Sequence, residues 1–189
     1  MANDPKCFMA RIKPISKSEM TPSIKEAFEK HARDYHARIT NMKSTLGHSL
    51  LAFKIYMEWY PLYGEVEKIL GKRLAYLYAY SISYASDCPL CSTFFRKIII
   101  DAGEKPENLR ITESEQKVLD FGSGIAKNSG NIADDSYDAV AAEYTKEQMV
   151  VLIAFAGQMI ATNVFSNVIE TDIDEYLLDY LPQKKLPGQ

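Results

Sequence analysis

Apolar positions recur at helical spacing along nearly the whole chain, and few stretches show the two-residue alternation of a strand. Thr21-Pro22 reads as an N-cap followed by proline at the first helical position, with Ile24, Phe28, His31 and Tyr35 behind it on one face. Thr112-Glu113-Ser114-Glu115 carries the capping-box pattern ahead of Val118, Leu119 and Ile125. Thr145-Lys146-Glu147-Gln148 repeats it ahead of a run from Met149 to Ala161 that is apolar nearly all round, the pattern of a central, buried helix. Further helical stretches are expected at about 47–59, 61–70, 71–85, 88–102 and 136–143. Asp101-Ala102-Gly103 stops a helix, with Pro106 soon after, and Lys127-Asn128-Ser129-Gly130-Asn131 is the clearest loop. The expectation is an all-α bundle forming one domain over residues 1–189, with an extended arm at about 1–20 and a short tail at 182–189.

The chain's 189 residues suffice for one substantial core. A net charge of −3 gives no electrostatic reason to expect nucleic acid or an anionic membrane as partner. No run is read as reaching the roughly 18 apolar residues of a spanning helix. Met1-Ala2-Asn3-Asp4-Pro5 lacks the basic and apolar regions of a signal peptide, so a cytoplasmic location is expected.

Compartment changes how the three cysteines read. Cys7 falls in the arm without an obvious partner, whereas Cys88-Pro89-Leu90-Cys91 places two thiols at i and i+3. On a helix such residues have Cβ atoms about 5–6 Å apart, a separation that a modest adjustment turns into a disulfide. In a reducing cytosol a CxxC is more often catalytic, redox-sensing or metal-binding than structural. Zinc would need two further ligands; there is no second CxxC or HxxxH, and His31 and His36 fall on different helix faces. No metal or cofactor is expected. With Asp87 as N-cap, Cys88 takes the first helical position, where the helix dipole favours a thiolate. Cys91 lies one turn further in, facing Phe94 and Phe95, and apolar surroundings raise a thiol pKa. Buried cysteines also pack simply as small hydrophobes.

The order Arg73-Leu74-Ala75 through Ser83, then Cys88-Pro89-Leu90-Cys91, then Ile98 to Gly103 resembles the alkyl hydroperoxidase D-like (AhpD-like) and carboxymuconolactone decarboxylase family. The helix from Glu113, the short helix near Asp135-Ser136-Tyr137 and the apolar helix Glu147 to Val168 are similar in order, and Thr40-Asn41-Met42 to Ser49 is similar to peroxidase-related members. The resemblance implies an AhpD-like helical bundle assembling as a trimer or hexamer. It further implies reduction of peroxides through the cysteine pair, with Cys91 attacking and Cys88 resolving the sulfenic acid to a disulfide. That order of roles opposes the dipole argument, which makes Cys88 the more acidic thiol. Three departures stand out. The family's histidine four residues after the second cysteine is Phe95, its glutamate twelve residues before the first is Tyr76, and the position between the thiols that can hold histidine is Leu90. Candidate replacements for this proton relay are Tyr80, Tyr84, His48, Glu58 and Glu65. The expected function is a thiol-dependent peroxidase acting on a small organic hydroperoxide and re-reduced by a thiol reductant or electron-donor protein. The alternative is a non-catalytic oligomeric redox-sensing or binding module, and a protein disulfide reductase is a third possibility. The decarboxylase branch fits less well, because its catalytic histidine position is again Phe95.

Overall fold

The structure is a computed structural model and describes residues 10–182. Eight α-helices follow in order: α1 (Pro22–Tyr35), α2 (Asn41–Leu46), α3 (Leu50–Met57), α4 (Trp59–Ala85), α5 (Pro89–Asp101), α6 (Glu113–Lys127), α7 (Asp134–Ala141) and α8 (Lys146–Val168), closed by a 3-10 turn at Glu175–Tyr180. The all-α expectation holds, with no strand among the described residues. The caps are where the polar pattern put them. Thr21 accepts the N–H of Ile24, and Thr112 with Glu115 and Thr145 with Gln148 form reciprocal capping boxes.

Helix α4 is the axis, packing against α5, α6 and α8. The stretches expected at 61–70 and 71–85 run together in it, interrupted at Gly71 (φ 74°), a backbone conformation open to glycine. Val66, Leu77, Tyr78, Ile82, Ile99, Phe121, Leu152 and Phe155 fill the main core. Gly122 lets α6 close on α4, since a Cβ there would lie 2.3 Å from the Tyr78 ring. A second apolar cluster of Ile15, Ile24, Phe28, Leu46, Phe53 and Met57 joins α1, α2 and α3 to the incoming chain. The described part of the arm is therefore anchored: Ile15 is buried, and Arg11 N–H donates to Ile169 O at 2.8 Å. Cys7 and residues 183–189 of the expected tail lie outside the described residues.

Two expectations need correction. The stretch expected at 47–59 turns helical only at Leu50, behind the Ser49 cap, and α3 ends at Met57, with α4 beginning at Trp59. Helix α8 is buried on one face only: Met149, Leu152, Phe155, Ala156 and Met159 are inside, but Val150 is 66% exposed, and Ile153, Val164 and Val168 are exposed with it. By length and composition α8 is also apolar enough to cross a membrane, which the reading of the run as too short did not foresee.

Candidate functional site

Helix α4 ends at Ala85, and Asp87 takes a left-handed turn (φ 47°) that redirects the chain into α5. This moves the cap by one residue from the expected Asp87. Cys88 itself is the N-cap, Pro89 occupies the first turn, and Cys88 Sγ accepts the backbone N–H of Cys91 at 3.3 Å. A sulfur in this position meets the orphan donors of the helix start directly. Both cysteines are free thiols and both are buried, at 1% exposure for Cys88 and 8% for Cys91.

The two sulfurs are not equivalent. Hydrogen bonds from the Cys91 thiol, and after burial is set against them from the backbone N–H groups of Cys91 and Leu90, hold the Cys88 thiol below its ordinary pKa. Cys91 is pushed well above its ordinary value, first because it gives its hydrogen to Cys88, then by burial and the charge on Cys88. Ser166 Oγ lies 4.0 Å from Cys91 Sγ and pulls weakly the other way. Of the two thiols, Cys88 is the one whose ionised form its surroundings favour.

Access runs in the opposite sense. A small pocket, with about 100 Å³ of free space, has Cys91 but not Cys88 in its wall. Leu90, Phe94 and Phe95 join Cys91 from α5, Trp59 and Tyr60 come from α4, Tyr56 and Met57 from α3, and Met159 and Thr162 from α8. Trp59 is fixed by stacking on Tyr63 (ring centroids 4.7 Å apart) and by donating its indole N–H to Met159 Sδ at 2.8 Å. The remaining wall is Thr40, Met42 and Lys43 from the start of α2 and Asp174, Tyr176 and Leu177 from the final turn.

One end of this aromatic pocket is polar. Lys43 is only 6% exposed, and its ammonium donates to Arg38 O at 2.8 Å and to Tyr60 OH at 2.7 Å. Burial pulls its pKa down to about 8, against the pull of the Asp174 charge. Burial also raises the Asp174 carboxyl above its ordinary value and pushes Tyr60 up to about 12. Asp174 Oδ1 accepts the backbone N–H of Asn41 at 2.9 Å, whereas its buried Oδ2 has no hydrogen-bond partner among the described residues.

The sequence-derived relay candidates lie elsewhere. Tyr80, Tyr84, His48, Glu58 and Glu65 are absent from the pocket wall. His48 bonds Lys13 O at 2.9 Å, Glu65 pairs with Lys68, and Tyr84 is exposed. Tyr76, at the family's glutamate position, donates to Glu104 Oε1 at 2.8 Å, and the same carboxylate takes the Arg73 guanidinium. His31 is buried among Tyr35, Phe53 and Tyr60, and burial lowers its pKa to about 4. Among the described residues no three His, Cys, Asp or Glu side chains converge as a metal site would require. Lys43, Tyr60 and Asp174 went unnoticed in the sequence; the one trace was that Lys43 falls within the Thr40 to Ser49 segment already singled out.

A buried CxxC opening a helix beside an aromatic pocket, on an all-α bundle, thus defines the architecture of the site. No protein-family model matches the chain, and neither does any curated protein sequence. The fold is similar to that of debrominase Bmp8. A cysteine-to-alanine variant of Bmp8 in complex with 2,3,4-tribromopyrrole superposes with a TM-score of 0.69 at 14% identity, covering 89% of this chain and 94% of that one. The apo form gives a TM-score of 0.60 at 14% identity, covering 90% and 97%. At this identity the likeness is one of fold.

Proposed function

We propose that this chain is a thiol-dependent redox enzyme of the alkyl hydroperoxidase D-like type, reducing a small organic hydroperoxide in the aromatic pocket. The observation that carries the reading is the division of labour between the sulfurs. Cys91 lines the pocket while Cys88 does not, and Cys88 Sγ, accepting the Cys91 N–H at the helix start, is the sulfur held below its ordinary pKa.

Cys88 thiolate takes the Cys91 proton as the hydroperoxide arrives. Cys91 sulfur attacks the terminal oxygen, an S–O bond forms, the O–O bond breaks, and the leaving alkoxide takes a proton from the Lys43 ammonium, which Tyr60 orients. Cys88 then attacks the sulfenic sulfur, releasing water and leaving a Cys88–Cys91 disulfide. Two electrons pass from the dithiol to the peroxide, with one proton from Cys91 and one from Lys43, giving alcohol and water, and Lys43 regains its proton from solvent. An external dithiol or an electron-donor protein reopens the disulfide. Lys43 and Tyr60 replace the histidine and glutamate missing at Phe95 and Tyr76.

The likeness to Bmp8 and the aromatic wall favour a second substrate for the same dithiol. A brominated aromatic ring would exchange its bromine for hydrogen, yielding a disulfide, bromide and a proton. Purified reduced protein is assayed with cumene hydroperoxide and, separately, for bromide release from 2,3,4-tribromopyrrole. Dithiol-dependent turnover of the hydroperoxide supports the first reading, and bromide release alone supports the second. Turnover of neither, together with a gel-filtration change on thiol oxidation, would favour the redox-sensing module. A homo-oligomer, trimer or hexamer, is part of this reading and is supported by the exposed Val150, Ile153, Val164 and Val168 on α8 with Leu51 and Ile55 on α3; light scattering measures it. The reading also places the protein in the reducing cytoplasm, where the thiols stay ready.

A further inference from the structure

Met57, the last residue of α3, stands between two cavities and is, among the described residues, the one found in the walls of both. On one side lies the aromatic pocket that contains Cys91, with about 100 Å³ of free space. On the other lies a groove between α1 and α3 with about 410 Å³. Beside Met57 the division is aromatic: Tyr60 of the pocket wall packs on Tyr35 and His31 of the groove wall, with ring centroids 4.6 and 4.8 Å apart. The two cavities are therefore neighbours across a single layer of side chains. Their walls differ in character. The pocket is aromatic and aliphatic over most of its surface, whereas the groove carries Glu26, Lys30, Asp34, Lys54 and Glu58 among its apolar residues. Within the dividing layer Tyr60 is held by the Lys43 ammonium on its hydroxyl. Met57 is held by packing alone, 8% exposed in the cluster of Ile24, Phe28 and Phe53, and an unbranched thioether leaves no strong polar bond to break when it is shortened.

We propose that Met57 sets the length of substrate the pocket accepts, closing it against the groove and restricting the site to compact apolar molecules. Shortening Met57 joins the cavities into one elongated site, with an aromatic chamber for a ring and a charged groove for a polar-ended tail. The inference rests on the reading that this pocket is the substrate site, but binding tests it without any turnover.

Trp59, the chain's single tryptophan and part of the pocket wall, reports occupancy by its fluorescence. The probes are phenylalkanols from 2-phenylethanol to 8-phenyloctan-1-ol, which share a ring and a terminal hydroxyl, differ in chain length and do not react with thiols. Each methylene taken out of water is worth about a fourfold gain in affinity. Across the whole series the reduced wild-type protein should gain less than about fourfold, because the chain meets Met57. In Met57→Ala affinity should keep rising with length, and the longest probe should bind at least about tenfold more tightly than the shortest. Met57→Val shortens the side chain with less loss of core volume and should change in the same direction, so failure of the alanine variant to fold does not end the test. Alanine vacates the room of Cγ, Sδ and Cε alone. A gain that stops after about three added methylenes would therefore mean that only this space is filled, and would overturn the joined site. A steady gain with length in the wild type, no gain in either variant, or no binding of any probe would overturn it too. Cumene hydroperoxide turnover on the same preparations separates the two ideas. Turnover with a length dependence that shortening Met57 leaves unchanged rejects the partition alone, and the expected length dependence without turnover rejects the peroxidase reading alone.

Discussion

Lys43→Met tests the polar end of the pocket through stability. An unfolded lysine has a pKa near 10.5, and burial holds Lys43 at about 8 in the fold. At about 1.4 kcal/mol for each tenfold in proton affinity, the folded state forgoes about 3 kcal/mol below pH 8. The sign follows from proton counting. Between pH 8 and 10.5 the unfolded chain binds this proton and the native protein does not, so the Lys43 contribution to stability rises with pH. Methionine removes that dependence and fills similar volume, but leaves Arg38 O and Tyr60 OH without their donor, at a cost of about 1–3 kcal/mol. At pH 7 the variant should therefore equal the wild type or exceed it by up to about 2 kcal/mol, and at pH 10 it should be the weaker by up to about 2 kcal/mol. The assay is urea unfolding of both proteins from pH 6 to 10, and the quantity is the difference between them, in which tyrosine and cysteine titrations common to both cancel. The difference should swing by about 2–3 kcal/mol across that range. Parallel curves would mean that Lys43 titrates as an ordinary surface lysine, and its role as a proton source tuned by burial would fall.

Other outcomes follow from the same geometry. Peroxide turnover should decline above about pH 8 as Lys43 loses its proton, and a rate still rising through pH 9 would argue against it as the acid. Gly122→Ala should cost about 1–3 kcal/mol, because the new Cβ meets the buried Tyr78 ring. Gly64→Ala, in open space on α4, should instead stabilise by roughly 0.5–1 kcal/mol; denaturant melts of the two distinguish close packing from helix propensity. Arg73→Ala should cost about 1–2 kcal/mol by releasing Glu104, Glu115 and Arg110 O, with peroxide KM unchanged because this cluster does not line the pocket.

Much of the bundle was legible because helix starts are written locally. Threonine at 21, 112 and 145 caps a helix whatever surrounds it, and the cysteine pair had to fall near a helix start once Ser86-Asp87-Cys88-Pro89 was read as one. Even there the cap was misplaced by one residue, since a sulfur accepting the Cys91 N–H is a rarer device than a carboxylate. The exposed face of α8 was illegible for a different reason: an all-apolar helix gives no polar side from which to read its orientation. Lys43 and Asp174 come to one pocket wall from more than a hundred residues apart, Asp174 being held there by the Asn41 N–H, and a lone lysine in a sequence looks like surface. The relay positions failed for the converse reason. Tyr76 and Phe95 stand where the resembling family carries its relay groups, and the proposed replacements, Lys43 and Tyr60, come from α2 and α4, not from neighbours of the thiols.

The central claim, that Cys91 meets the substrate and Cys88 closes the disulfide, is tested most directly by trapping the first oxidised species. Reduced Cys88→Ser and Cys91→Ser proteins are given one equivalent of cumene hydroperoxide with dimedone present, and the adduct is located by peptide mass spectrometry. The account predicts a sulfenic-acid adduct on Cys91 in Cys88→Ser, little or none on Cys88 in Cys91→Ser, and a Cys88–Cys91 disulfide in the wild type. An adduct on Cys88 in Cys91→Ser, with none on Cys91 in the other variant, would contradict it.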